Sequence, residues 1–203
     1  SKLLQLQSGL SVWSISLNLL TIINRDMQIH DHVFEKFISS DEIAVVVNRL
    51  AGEINNDYLG KELVVIVILK GAFIFAADII RRIQFPCRVE LLAAASYGPL
   101  MISSGTVEFI LPDYQIKNKH VLIIEDIIDT GLTLSSVTDA LQKFAPESLE
   151  IITLISKPAM RKIDIPVKYI GIEIPPVFIV GYGMDYDEAG RGLPDIYSKV
   201  PSE

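Results

Sequence analysis

Two adjacent carboxylates, Glu125 and Asp126, close the apolar run Val121-Leu122-Ile123-Ile124, and a third, Asp129, follows three residues later. Thr130-Gly131-Leu132-Thr133 comes next, ahead of a helical pattern. The apolar run reads as a buried strand. In an open α/β sheet, ligands bind beyond the carboxyl ends of the strands. A loop that feeds a helix N-terminus presents backbone N–H groups and the positive end of a dipole, which suits a phosphate. Carboxylates beside such a loop repel a bare anion, but they suit sugar hydroxyls and a Mg²⁺ ion. The chemistry implied is the handling of a phosphorylated sugar together with a metal.

The elements that must carry these residues alternate. Residues 40–56 read as a helix capped by Ser40, with Asp41 and Glu42 in its first turn and Ile43, Val46, Val47, Leu50 and Ile54 on one face. Residues 63–69 form a continuous β-branched and Leu run, a strand buried on both faces that Lys70-Gly71 ends. A helix over 72–83, strands at 89–95 and 107–111, and the strand 121–125 follow. Then come a helix at 134–144, a strand at 149–155 broken by Lys157-Pro158, and late strands at 169–172 and 178–180. Residues 96–105 read as a loop, and the Gly-, Asp- and Pro-rich stretch 181–195 as irregular. The alternation predicts an α/β fold, a mostly parallel central sheet flanked by helices.

The chain has 203 residues, half of them hydrophobic and 21% charged, enough for one domain with a substantial core. A net charge of -7 argues against nucleic-acid binding, which needs a cationic face. The lone Cys87 follows Pro86 beside an apolar strand and reads as a packing residue; a chain with one cysteine fits a reducing cytoplasm. His30-Asp31-His32 has no further ligand group nearby and reads as surface. Residues 1–33 read as an N-terminal extension to a domain spanning 34–203. Leu3 to Ile23 is too polar for a membrane span, and neither a basic start nor an Ala-x-Ala site marks a signal peptide. Met27 as the true start, a docking segment and a weak targeting sequence remain the alternatives there.

The run Glu125-Asp126-Ile127-Ile128-Asp129-Thr130-Gly131-Leu132-Thr133 resembles the phosphoribosyl-pyrophosphate motif of type I phosphoribosyltransferases. Leu69-Lys70-Gly71 resembles their pyrophosphate loop, and Ser96-Tyr97-Gly98 the start of their mobile loop. Val180-Gly181-Tyr182-Gly183-Met184-Asp185-Tyr186-Asp187-Glu188, through Arg191, resembles the hood of the hypoxanthine(-guanine) branch. The resemblance spans residues 34–197. It implies the type I fold with a small hood built at the chain ends, and transfer of a phosphoribosyl group to a 6-oxopurine with release of pyrophosphate.

The same resemblance implies roles for named residues. Asp129 would be the base near purine N7. Glu125 and Asp126 would hold the ribose hydroxyls, directly or through Mg²⁺, and Asp185 a second Mg²⁺. Asp129, Thr130, Gly131 and Thr133 would line the ribose-phosphate site, with the last three cradling the 5′-phosphate. Lys70 and Gly71, joined to Leu69 by a cis peptide, would meet pyrophosphate with Arg191. Lys157 would donate to the purine 6-oxo group, Phe178 would stack on the base, and Ile179, Met184 and Asp185 would also contact it. Ser96 and Tyr97 would close over the site and exclude water. The implied assembly is a homodimer or homotetramer.

The chain departs from the family at Gly98-Pro99-Leu100-Met101-Ile102, an apolar stretch for a lid, and at Glu108, where a basic residue is common. Residues 1–26 have no counterpart in it. Ile128-Asp129-Thr130-Gly131 also resembles the turn of aspartic proteases. Those need two such aspartates in an all-β fold, and Glu125-Asp126 have no place in that chemistry. Two other readings are a xanthine-preferring relative and a non-catalytic sensor of phosphoribosyl pyrophosphate. The segment 1–33 is too short and uncharged for the winged helix that a DNA-binding sensor would add.

Overall fold

The computed structural model describes residues 26–93 and 114–201. Among these, five parallel strands form the central sheet: β3 (Leu63–Leu69), β4 (Arg88–Ala93), β5 (His120–Ile128), β6 (Ser148–Ser156) and β7 (Tyr169–Glu173), in the order β4-β3-β5-β6-β7. The expected strand at 107–111 lies outside the described residues. Alternate residues of β3 serve opposite faces. Val65 and Val67 pack in one core cluster, Ile66 and Ile68 in the other. This two-sided burial is why the run shows no polar alternation.

Helix α1 (Ser40–Tyr58) buries Ile43, Val47, Leu50 and Ile54. Its cap is Ser39, one residue earlier than expected. Ser39 accepts from the backbone N–H of Glu42, whose carboxylate in turn accepts from the N–H of Ser39, a reciprocal capping box. Helices α2 (Phe73–Ile80) and α3 (Leu132–Gln142) follow β3 and β5.

A second, antiparallel sheet forms the hood, in the order β1-β2-β9-β8: β1 (Met27–Ile29), β2 (His32–Ile38), β8 (Ile179–Val180) and β9 (Ile196–Lys199). The hood therefore takes in residues 27–33, which the sequence set apart with the N-terminal extension. Lys36 Nζ lies 2.7 Å from Asp195 Oδ2, and Asp195 also accepts from the N–H of Ser40, so one carboxylate ties β2, α1 and the entry to β9.

The strand order creates the site. From β3 the chain moves outward to β4, whereas from β5 it moves the other way to β6 and β7. The switch point lies between β3 and β5. Their ladder runs from Leu63–His120 to Val67–Ile124 and stops there, while β5 continues beside β6 as far as Ile128–Ser156. The carboxyl ends of β3 and β5 thus part where Lys70-Gly71 and Glu125-Asp126 stand. The Leu69–Lys70 peptide is cis, as the family resemblance implies.

Candidate active site

Glu125 and Asp126 stand next to each other near the carboxyl end of β5, past the point where its ladder with β3 stops. Asp126 is 9% exposed and accepts a hydrogen bond from the N–H of Ile127 (2.9 Å). Gly71 presses on it from the end of β3: a Cβ at Gly71 would stand 1.7 Å from Asp126 Oδ2. Only glycine allows that approach. Burial drives the Asp126 carboxyl up to about 6, against the opposing pull of the backbone N–H groups and of Arg191. Burial, with the charge of Asp126 second, drives Glu125 well above the usual carboxylate range. Two acids held this way gain from a nearby cation.

Past Ile128 the chain turns through Asp129 and Thr130 into α3. Gly131 caps α3 with φ +81, and no side chain fills the cap. Thr130 O accepts from the N–H groups of Lys162 and Ile163, and Thr130 Oγ1 from the N–H of Leu132 (3.4 Å). The loop is pinned from behind while the first turn of α3 opens outward, with Thr133 exposed. This is a geometry for an oxyanion.

Lys157 follows β6 and is only 6% exposed; its N–H bonds Ile128 O across the sheet. Its Nζ lies 3.0 Å from Asp129 Oδ1. That is an ion pair by distance, although the angles do not make a hydrogen bond to the oxygen.

From the hood side, Lys70 Nζ donates to both carboxylate oxygens of Glu188, at 3.0 and 3.1 Å. Arg191 Nη2 lies 2.8 Å from Asp185 Oδ1 and 3.6 Å from Glu188 Oε2, and Arg191 Nη1 donates to Gly183 O. Asp185 Oδ2 also accepts from the N–H of Glu188 (2.8 Å). Gly183 leaves no room for a Cβ, which would stand 2.1 Å from Gly71 O. The hood thus closes onto the loop after β3 through two glycines and a knot of four charged side chains.

Phe178, 46% exposed, immediately precedes β8. Ile179 and Met184 are buried, and Met184, 4% exposed, packs into the main core with Tyr182. The structure therefore brings together Lys70, Gly71 and Asp126, pairs Asp129 with Lys157, and pairs Asp185 with Arg191. Met184 has little side chain left for a ligand. Ser96, Tyr97, the apolar lid stretch and Glu108 lie outside the described residues. Glu188 and Gly183 escaped the sequence reading as working residues. The spacing of Asp185, Glu188 and Arg191 at intervals of three was the available signal.

Among the described residues, buried side-chain atoms without a hydrogen-bond partner include Glu125 Oε2, Asp129 Oδ1 and Arg191 Nε. Such atoms are uncommon in folded proteins. Here three of them belong to residues that the sequence singled out separately. A metal would meet hard oxygen donors at Glu125, Asp126 and Asp185, with one oxygen of Glu125 unsatisfied. The described residues hold no cluster of three His, Cys, Asp or Glu side chains close enough to cage an ion.

The phosphoribosyl transferase domain model matches residues 38–187. A hypoxanthine-guanine phosphoribosyltransferase of Staphylococcus aureus (strain Mu50) is 42% identical over 173 residues, covering 85% of this chain and 97% of the relative. A hypoxanthine phosphoribosyltransferase of Haemophilus influenzae is 42% identical over 166 residues, covering 80% and 93%. The crystal structure of a Bacillus anthracis hypoxanthine-guanine phosphoribosyltransferase superposes with a TM-score of 0.74 at 39% identity, over 88% of this chain and all of that one. With the strand order, the parted ends of β3 and β5 and the loop into α3 all in agreement, this chain belongs to the phosphoribosyl transferase family.

Proposed function

We propose that this protein salvages purines, transferring the phosphoribosyl group of 5-phosphoribosyl 1-pyrophosphate to hypoxanthine or guanine. The products are the nucleoside monophosphate and pyrophosphate. The observation that carries this reading is the packing of Gly71, at the end of β3, against the buried carboxylate of Asp126 where the ends of β3 and β5 part, with Gly183 of the hood closing onto Gly71. The names of the relatives support the same substrates.

In the proposed reaction a purine nitrogen bonds to ribose C1′ as the bond from C1′ to the pyrophosphate oxygen breaks. Positive charge grows on the sugar while a polyanion departs. Most of the work is positioning and charge stabilisation. The 5′-phosphate sits on the N-terminus of α3, held by Thr130, Gly131 and Thr133. Glu125 and Asp126 hold the ribose hydroxyls and place negative charge beside the cationic sugar. Lys70 and Arg191 meet the departing pyrophosphate, and Gly71 lets it approach the backbone.

Asp129 accepts the proton that the purine gives up from N7. Lys157 donates to the 6-oxo group, and its partnership with Asp129 couples recognition of the base to proton removal. Adenine carries an amino group at that position and would leave the buried ammonium facing a donor, which explains the expected selectivity. Phe178 stacks on the base, Ile179 meets it with its backbone, and Ser96 and Tyr97 close the lid. Bound Mg²⁺, held by Glu125, Asp126 and Asp185, would supply charge neutralisation for the pyrophosphate. We read the assembly as a homodimer or homotetramer and the setting as cytoplasmic. Among the described residues no helix is long and apolar enough to cross a membrane.

The test is nucleotide formation from phosphoribosyl pyrophosphate with hypoxanthine, guanine, xanthine and adenine offered separately, with and without Mg²⁺. Expected are Mg²⁺-dependent turnover of hypoxanthine or guanine and little of adenine. Preferred turnover of xanthine would reassign the base, and binding of phosphoribosyl pyrophosphate without turnover of any base would overturn the enzymatic reading.

A further inference from the structure

Tyr186 lies between the base-binding side of the hood and the turn joining β1 to β2. Its ring meets Phe178 edge-on, with centroids 5.7 Å apart and planes at 85°. Its other ring neighbours are His32, tilted at 5.0 Å, His30, edge-on at 5.7 Å, and Phe34, tilted at 6.2 Å. Its hydroxyl donates to Asp31 Oδ1 at 2.8 Å. Tyr186 also opens the tight turn to Ala189, whose central residues Asp187 and Glu188 both have positive φ. His30 Nε2 lies 3.3 Å from Asp187 O, and Lys199 Nζ lies 2.8 Å from His32 Nε2. Every side chain of His30-Asp31-His32 is thus engaged with the 186–189 turn or with the strand beside it.

We propose that the His30–His32 turn, acting through Tyr186, is a positioning device for the purine: it fixes the ring of Phe178 in the orientation that stacks on the base. This rests on the assignment of Phe178 as the stacking residue. Phe178 is half exposed, and the aromatic groups on its flank are Phe34, at 6.3 Å, and Tyr186. Phe34 is wholly buried and anchors the hood core, so the adjustable wall is Tyr186. The hydroxyl bond to Asp31 sets the rotation of the Tyr186 ring. Thus a segment outside the recognised family motif, set aside as surface by its sequence, reaches base affinity through two rings. A ring pair with this geometry contributes enough to change affinity by roughly threefold to tenfold.

The experiment separates the Michaelis constants of the two substrates. Tyr186→Leu keeps apolar bulk but removes the ring edge. It should raise the KM for hypoxanthine roughly fivefold and leave the KM for phosphoribosyl pyrophosphate within about twofold. Asp31→Ala and Tyr186→Phe each break the hydroxyl bond and should each raise purine KM by roughly threefold; combined, they should do no more than either alone. Should Tyr186→Leu fail to fold, that cycle carries the test, because both of its variants keep the ring. Phe178→Leu is the control. If it leaves purine KM unchanged, the stacking assignment itself fails. If it raises purine KM and the Tyr186 and Asp31 variants do not, or if they raise the KM of phosphoribosyl pyrophosphate instead, only this inference is overturned.

Discussion

The ends of the central strands and the hood supply the two sides of one site, yet they are built by opposite means. Glu125, Asp126 and Asp129 hang from a strand whose preceding residues, Val121 to Ile124, are wholly buried between two core clusters. The hood is assembled from the two ends of the described chain, 27–38 and 179–199, in strands of two to seven residues. It is fastened to the base by Ile38, Ile179, Tyr182, Met184 and Ile196, which pack in the main core cluster, and by the largely exposed Lys70–Glu188 ion pair. Exposed pairs contribute little stability. In the proposed reading the sheet is the floor for the sugar phosphate, and the hood, packed into the same core, is the roof for base and pyrophosphate.

The largest effect that separates floor from roof is chemical. Asp129→Asn should lower kcat by roughly 10²-fold or more while phosphoribosyl pyrophosphate binds as before. Single-turnover rates and equilibrium titration would read the two parts; unchanged turnover would remove Asp129 as the base. Next comes the seam between the two regions. Gly71→Ala would drive a methyl group into Asp126. It should cost roughly tenfold or more in affinity for phosphoribosyl pyrophosphate, with a lower melting temperature. A neutral Gly71→Ala variant would mean that the floor and the loop after β3 are not packed as described.

A smaller effect concerns stability. The folded-state pKa of Asp126 is raised to about 6, so the native protein keeps this proton longer than the unfolded chain does. The group costs nothing below the ordinary value of about 4, and stability falls as pH rises through the interval up to about 6. Asp126→Asn removes that cost, which reaches at most about 3 kcal/mol by pH 7. In metal-free buffer the variant should melt roughly 5 °C higher at pH 7, with a flatter profile between pH 4 and 7. An equal or lower melting temperature would contradict the burial assigned to this carboxylate.

The same contrast explains what was legible in the sequence. β3, β5 and β6 announce themselves because residues buried on both faces form continuous apolar runs, and the acids that end β5 stand out against that run. β2 does not: Val33 and Phe37 are exposed while Phe34 and Ile38 are buried, and the pairing with β9 shifts register between Lys36 and Ile38. The pattern has no clean period of two, and its partner lies about 160 residues away. β9 is four residues long and half polar, so nothing local marks it. Within the site, single motifs were readable, but contacts between motifs were not. That Gly71 must be small because of Asp126, that Gly183 must be small because of Gly71, and that Glu188 bonds Lys70 are facts of the folded chain alone.

The division between floor and roof is tested most directly by titrating phosphoribosyl pyrophosphate with Mg²⁺ into the natural protein and into a Phe178→Leu variant, followed calorimetrically. The predicted result is an unchanged affinity, within about twofold, in a variant whose KM for hypoxanthine has risen by roughly fivefold. A comparable fall in affinity for phosphoribosyl pyrophosphate would show that sugar phosphate and base do not occupy separable halves of the site, and would contradict the account.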